Sequence, residues 1–333
     1  MSPSTHATTP NAATPLWKRM LRRRLKFLAW LVAVLVIVLG GSYLFAPQWL
    51  MRANLMREAM AAKLEKQSIQ AGDTRWVYYE GGTGPTIVLL HGFASNKEAW
   101  LPVAKLLTPH FHLVIPDLPG WGESSRNADA SYDIDAQAAR LDTFVQALHL
   151  KRFLLVGHAM GGAIAGVYAA DRPEHVAGLA LVDAFGLKSR PSAFDRQALT
   201  GKDPFLFDDR AGFARAIALA FEKPPEIPGR FVDVLVKRNQ HSHAFIQRTF
   251  NALRQPSQEL AVQHRLGQLT MPVLGLWCHD DKVIDISALD SLRNGLTAAS
   301  AISTSTLNGC NHMPMLEKPT ETAQILTGFA LSH

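Results

Sequence analysis

Phe27 to Phe45 is an unbroken apolar run, FLAWLVAVLVIVLGGSYLF, of 19 uncharged residues. As a helix it extends roughly 28 Å at about 1.5 Å per residue, enough to cross the hydrocarbon core of a bilayer. Trp49, Ala53, Met56, Met60 and Leu64 then recur at spacings of 4, 3, 4 and 4, with Arg52, Arg57, Glu58, Lys63 and Lys66 between them. This spacing predicts an amphipathic juxtamembrane helix over 46–66, which lies on a membrane surface or packs on a domain. From Gln67 the pattern changes to short β-rich runs: RWVYY, TIVLL, FHLVIP, RFLLVG, VAGLALV, PVLGLW and a weaker AISTSTL. Helix-length segments such as Asp135 to Leu148 and Gly162 to Asp171 separate several of them. Apolar strands alternating with helices predict an α/β class fold with a mostly parallel, doubly wound sheet covered on both faces. Over 187–266 the strand signals vanish and helical stretches with prolines take over. We read this as a helical insertion, a cap, with 67–186 and 267–333 forming the α/β core.

Composition, 47% hydrophobic and 19% charged, is that of an ordinary folded chain and excludes a largely disordered one. The net charge of +6 changes the picture only through its position. Lys18, Arg19, Arg22, Arg23, Arg24 and Lys26 precede the apolar run with no acidic residue among them, and setting those six aside leaves 28 basic against 28 acidic residues. A neutral body argues against a nucleic-acid partner. The basic cluster orients the span instead: 1–26 reads as a disordered cytoplasmic tail, 27–45 as an uncleaved transmembrane anchor, and all that follows as extracytoplasmic, which is periplasmic in a Gram-negative source. A cleaved signal peptide fits less well, because Leu44 and Phe45 before Ala46 offer no small-x-small site.

The chemistry begins where RFLLVG runs into GHAMGG. Strand, tight turn and helix follow one another, with Gly157 and Gly161 flanking position 159, as in the G-x-S-x-G nucleophile elbow; here position 159 is alanine. His91-Gly92-Phe93 ends an earlier strand, DLPGWGES starts at Asp117, and WCHDDKVI and NGCNHMPMLEKP follow toward the C-terminus. In these motifs and their order the chain resembles the α/β-hydrolase family from about Asp73 onward. With its anchor it is similar to bacterial membrane-anchored lipases and phospholipases A and to monoacylglycerol lipase-like enzymes.

The resemblance implies a carboxylic-ester hydrolase acting on a lipid or other acyl ester, with no metal or organic cofactor. It places Ala159 where the family has its serine nucleophile, His312 as the base, and Asp281 as the acid. Asp281 is preferred to Asp280 because the family's acid follows the strand-end tryptophan by four residues. It also implies an oxyanion hole formed by the backbone N–H groups of Phe93 and Met160. Ala159 has no oxygen to attack with, and loss of the nucleophile costs about 10⁶ in kcat in subtilisin. Three readings stay open: a knockout or natural pseudoenzyme of a lipase-like parent, a hydrolase in which His312 and Asp281 activate water directly, and a membrane-tethered binding protein without turnover.

The same resemblance bears on the two cysteines. Cys278 lies three residues before Asp281 and Cys310 two before His312, so a working acid–base pair makes their loops neighbours. A bridge is within reach, but neighbouring loops need not turn their cysteines toward each other, and the expectation is two free, partly buried thiols.

Overall fold

A computed structural model of the chain describes residues 16–333. Its first helix, α1 (Leu16–Phe45), is one continuous element of 30 residues. The helix therefore starts inside the segment expected to be disordered, and Lys18 to Lys26 ride on its first turns; residues 1–15 lie outside the described part. From Trp17 to Phe45 it is long and apolar enough to cross a membrane. After Ala46 comes α2 (Pro47–Ala61). This helix does not run to 66 as its apolar spacing predicts. Lys63 turns the chain at φ 54° and Leu64 opens a strand instead. The turn presses the Lys63 carbonyl so close to Gly81 that a Cβ there would lie 2.2 Å from it. Ala59 and Ala62 are buried in the core, whereas Met56 and Met60 are exposed.

From Leu64 the chain builds one eight-stranded sheet: β1 (Leu64–Ala71), β2 (Thr74–Gly81), β3 (Thr86–Leu90), β4 (His112–Pro116), β5 (Phe153–His158), β6 (Val176–Val182), β7 (Val273–Cys278) and β8 (Ile302–Leu307). Their spatial order is β1-β2-β4-β3-β5-β6-β7-β8. β2 is antiparallel to both neighbours, and the remaining pairs are parallel. Parallel strands need crossovers, supplied by α3 (Leu101–Leu107), α4 (Ile134–Ala147), α5 (Met160–Asp171) and α10 (Ala288–Gly295), with α11 (Pro314–Glu317) and α12 (Pro319–Ser332) closing the chain. Two apolar layers result. Trp76, Phe144, Tyr168 and Trp277 lie in one, and Trp100, Phe111, Leu274 and Phe329 in the other. The interior strands are apolar on both sides because both faces are covered.

Between β6 and β7 the insertion folds as α6 (Ala193–Ala198), α7 (Arg210–Ala220), α8 (Gly229–Leu253) and α9 (Pro256–Glu259). Phe213, Val232 and Val236 form a small core of its own. Asp203, in the loop before α7, accepts the Phe205 N–H at 2.8 Å, but its Oδ2 is buried without a partner. Burial pushes this carboxyl up to about 7. The native state thus holds a proton that the unfolded chain has released, so the contribution of Asp203 to stability falls as pH rises from about 4 to about 7 and then levels off. Thermal unfolding of Asp203→Asn at about pH 4.5 and about pH 7.5 should show a flatter pH dependence than the parent. Equal slopes would mean that Asp203 is ionised in the fold.

Candidate active site

β5 delivers its last residue, His158, into a turn tight enough to require glycine nearby. A Cβ on Gly157 would sit 2.2 Å from the Gly161 carbonyl oxygen, and one on Gly161 would sit 2.4 Å from that of His91. Ala159, at the apex, is held at φ 49°, ψ −118°, a region that costs a residue bearing a Cβ about 1–3 kcal/mol. The turn holds because the Ala159 carbonyl accepts from Gly162 (2.9 Å), Ala163 (3.1 Å) and Phe185 (3.0 Å). Its methyl group faces a large cleft.

On the neighbouring strands the structure brings Asp281 and His312 together. Asp281 follows β7; its Oδ2 accepts from His312 Nδ1 at 2.9 Å and its Oδ1 accepts from the N–H groups of Val283 (2.7 Å) and Ile284 (3.0 Å). Those three donors fix the carboxylate and the Nδ1–H tautomer, leaving Nε2 of the imidazole as the free base. Both side chains are almost wholly buried. Asp280 instead contacts His279 at the surface. Among the described residues, no protein acceptor engages the N–H of Phe93 or of Met160.

The residues around this pair were not evident from the sequence. His158 donates from Nε2 to the His312 carbonyl at 2.7 Å, and its ring lies 4.7 Å from that of His312. Burial, with His312 beside it, holds His158 well below the usual imidazole range, so it is neutral. Asp183, just after β6 and fully buried, accepts the Cys278 N–H at 2.9 Å while its Oδ2 has no donor. Burial first, and then the neighbouring Asp281 charge, raise this carboxyl well above the ordinary range. Ligating atoms of His158, Asp183 and His312 lie within 4.8 Å of one another, a donor set with metal-binding potential. Here two of its nitrogens are already committed, to the His312 carbonyl and to Asp281.

The Phe93 loop is braced from behind. His91 contacts the Gly92 carbonyl through Nδ1 (2.8 Å) and accepts the Leu118 N–H at Nε2 (3.0 Å), and burial lowers it to about 4. Lys97 is completely buried, with Nζ at 2.7 Å from Asp117, 2.9 Å from Glu123 and 3.0 Å from Glu98. Burial alone would lower this lysine; the carboxylates outweigh it and raise it. Asp117 also accepts the N–H groups of Lys97 and Glu123, which ties the DLPGWGES loop to the loop carrying Phe93.

Cys278 and Cys310 are joined in a disulfide, with Cα atoms 5.5 Å apart. This corrects the expectation of two free thiols. Pairing of Cys278 with Leu307 across β7 and β8 sets the register that brings Cys310 to face it. Among the described residues there is no free cysteine.

All of this opens on a cleft of about 1640 Å³. Ala159, Met160 and His312 line its floor, six of the eight insertion phenylalanines (Phe194, Phe205, Phe207, Phe213, Phe221 and Phe250) line it from the cap, and Leu55, Met56, Ala59 and Met60 of α2 contribute a further wall.

Residues 85–319 match the model of the alpha/beta hydrolase fold family. The chain belongs to this family. Among its relatives, monoacylglycerol lipase ABHD6 of Homo sapiens is 28% identical, covering 90% of this chain and 92% of that one. Lipase 3 of Moraxella sp. (strain TA144) is 31% identical, covering 82% and 86%. The crystal structure of a membrane phospholipase A, described as a bacterial virulence factor, superposes with a TM-score of 0.82 at 34% identity, covering 92% of this chain and 98% of that one. The chain thus belongs to a lipase- and phospholipase-type branch of the α/β-hydrolase fold family, with membrane-associated relatives.

Proposed function

We propose that the site is that of a lipid carboxylic-ester hydrolase whose nucleophile position carries Ala159. The observation that carries this reading is the His312–Asp281 pair beside an elbow in the nucleophile conformation, at the floor of a phenylalanine-lined cleft. In the serine-bearing mechanism His312 Nε2 takes the hydroxyl proton, Asp281 stabilises the imidazolium, and the N–H groups of Phe93 and Met160 hold the oxyanion. With Ala159 the acyl chain and the oxyanion site remain while the attacking oxygen is missing, so the chain binds acyl esters and turns them over very slowly. An Ala159→Ser variant assayed on acylglycerols and phospholipids tests this. Turnover supports it, and a folded variant as inactive as the parent overturns it in favour of binding alone.

A second reading, direct activation of water by His312, draws support from an imidazole that Asp281 orients without any serine. Residual parent activity abolished by His312→Gln would favour it.

We place the N-terminus in the cytoplasm and the cleft outside, on the charge of Lys18 to Lys26 before the span. Exposed Met56, Met60 and Leu199 border the cleft and suit contact with a lipid surface. A phosphatase reporter fused after His333 should be active, and the same reporter at the N-terminus silent. The reverse pattern would invert the topology.

A further inference from the structure

The cleft wall around α8 carries solvent-exposed arginines without a carboxylate partner among the described residues. Arg126 donates from Nε (3.0 Å) and Nη2 (2.9 Å) to the Gly120 carbonyl and from Nη1 to Ser242 Oγ (3.4 Å). Its guanidinium lies 3.8 Å from the centroid of the Phe245 ring. Three of the five N–H donors of an arginine are thereby used to fix its position, and two are left for a ligand. Arg248 sits over the same ring at 5.9 Å, so a second guanidinium presses on the first. Burial, and then Arg248, push Arg126 below the ordinary arginine value. Arg238 stands one helical turn before Ser242 on α8 and lines the cleft with Arg126 and Ser242; residues four apart share a helix face.

Among the described residues, neither Arg126, Arg238 nor Arg248 has a carboxylate partner. Two of the other cleft cations do have one: Lys66 pairs with Glu123, and Arg254 with Asp195 and Glu259, whereas Lys188 and Arg196 have none among the described residues. Over the whole lining, seven Lys and Arg side chains face five Asp and Glu. Trp121 connects this wall to the catalytic floor, with its ring 5.1 Å from Phe93 and 5.0 Å from Phe245. From Phe93 the Arg126 guanidinium is thus reached through the rings of Trp121 and Phe245.

We propose that Arg126 and Arg238, with Ser242 between them, bind the phosphodiester of a phospholipid head group while the acyl chains occupy the phenylalanine-lined part of the cleft. The proposal rests on the acyl-lipid reading above and names its substrate class. Guanidinium is suited to the role because its planar fork donates two parallel hydrogen bonds to a phosphate. A neutral acylglycerol would leave both arginines as unpaired as they are now.

Because turnover with Ala159 is expected to be very slow, binding can be measured on the full chain as it stands. We would titrate it calorimetrically, in a non-ionic detergent, with dihexanoyl phosphatidylglycerol, with dihexanoylglycerol and with inorganic phosphate. The phospholipid should bind about tenfold or more tighter than the diacylglycerol, the worth of a charge-assisted hydrogen bond or two. Arg238→Gln, which loses no partner among the described residues, and Arg126→Gln should each remove most of that difference and leave diacylglycerol affinity within about twofold. Added salt should weaken the phospholipid alone. Unchanged phospholipid affinity in Arg238→Gln, or equal affinity for the two lipids in the parent, overturns the head-group assignment alone. Phosphate binding as tightly as the phospholipid also overturns it, leaving a free-anion site. Binding of neither lipid overturns the acyl-lipid reading itself, and the head-group site with it.

Discussion

An Ala159→Ser variant is expected to hydrolyse a short-chain acyl ester about 10⁵- to 10⁶-fold faster than the parent, the factor that loss of the nucleophile costs a serine hydrolase. So large an effect from one oxygen is reasonable because nothing else has to be built. The backbone at 159 already holds the conformation a nucleophile elbow needs, pinned by three hydrogen bonds to its carbonyl. The base is already oriented by Asp281, and the two proposed oxyanion N–H groups are not spent on protein acceptors. The gain should depend on the pair in an equally definite way. In the Ala159→Ser background, His312→Gln should return the rate to that of the parent, and Asp281→Asn should cost about 10⁴, since the amide fixes the wrong tautomer. A serine variant whose activity survives His312→Gln would show that the reaction does not run through this pair.

The second large effect concerns the disulfide. Cys278 and Cys310 are 32 residues apart, and closing a loop of that length constrains the unfolded chain by roughly 3–4 kcal/mol. Replacing both by serine should lower stability by about that amount. It should also impair the site, because the bridge ties the segment before Asp281 to the segment before His312. We expect the Cys278→Ser/Cys310→Ser double variant in the Ala159→Ser background to lose kcat by about tenfold or more, since loosening of catalytic geometry by about 1 Å costs up to 10². Thiol alkylation of the unfolded, unreduced chain checks the premise: two reactive thiols in material from an oxidising compartment would remove it.

What could be read from the sequence was what local spacing records. The glycines at 157 and 161 mark the elbow because backbone must pass within contact distance of them, and a close approach leaves a glycine behind in any chain. The interior strands were readable because strands covered on both faces are apolar throughout. β1 was not: LEKQSIQA is exposed along most of its length, so no alternation announces it, and its partner β2 alone makes it a strand. Leu64 fits the apolar stripe of a helix equally well, which is why the helical reading runs past Ala61. Asp183 and Lys97 were invisible for a different reason. Each is a charged residue type in a buried place, made tolerable by groups far along the chain: Asp183 by the Cys278 N–H, Lys97 by Asp117 and Glu123. Such partnerships exist only after the strands have paired. The facing of the two cysteines is likewise a property of strand register rather than of either segment alone.

The strained elbow has a genetic consequence. Every alanine codon, GCN, becomes a serine codon, TCN, by one base change; glycine, GGN, is also one base from alanine and would relieve the φ of 49° at this position, but it has no β-carbon to carry a hydroxyl. A gene that keeps alanine at 159 therefore keeps the β-carbon in place and the working nucleophile a single nucleotide away. The proposed silent form and the expected hydrolytic form are thus one nucleotide apart, and the backbone at 159 needs no second change to pass from one to the other.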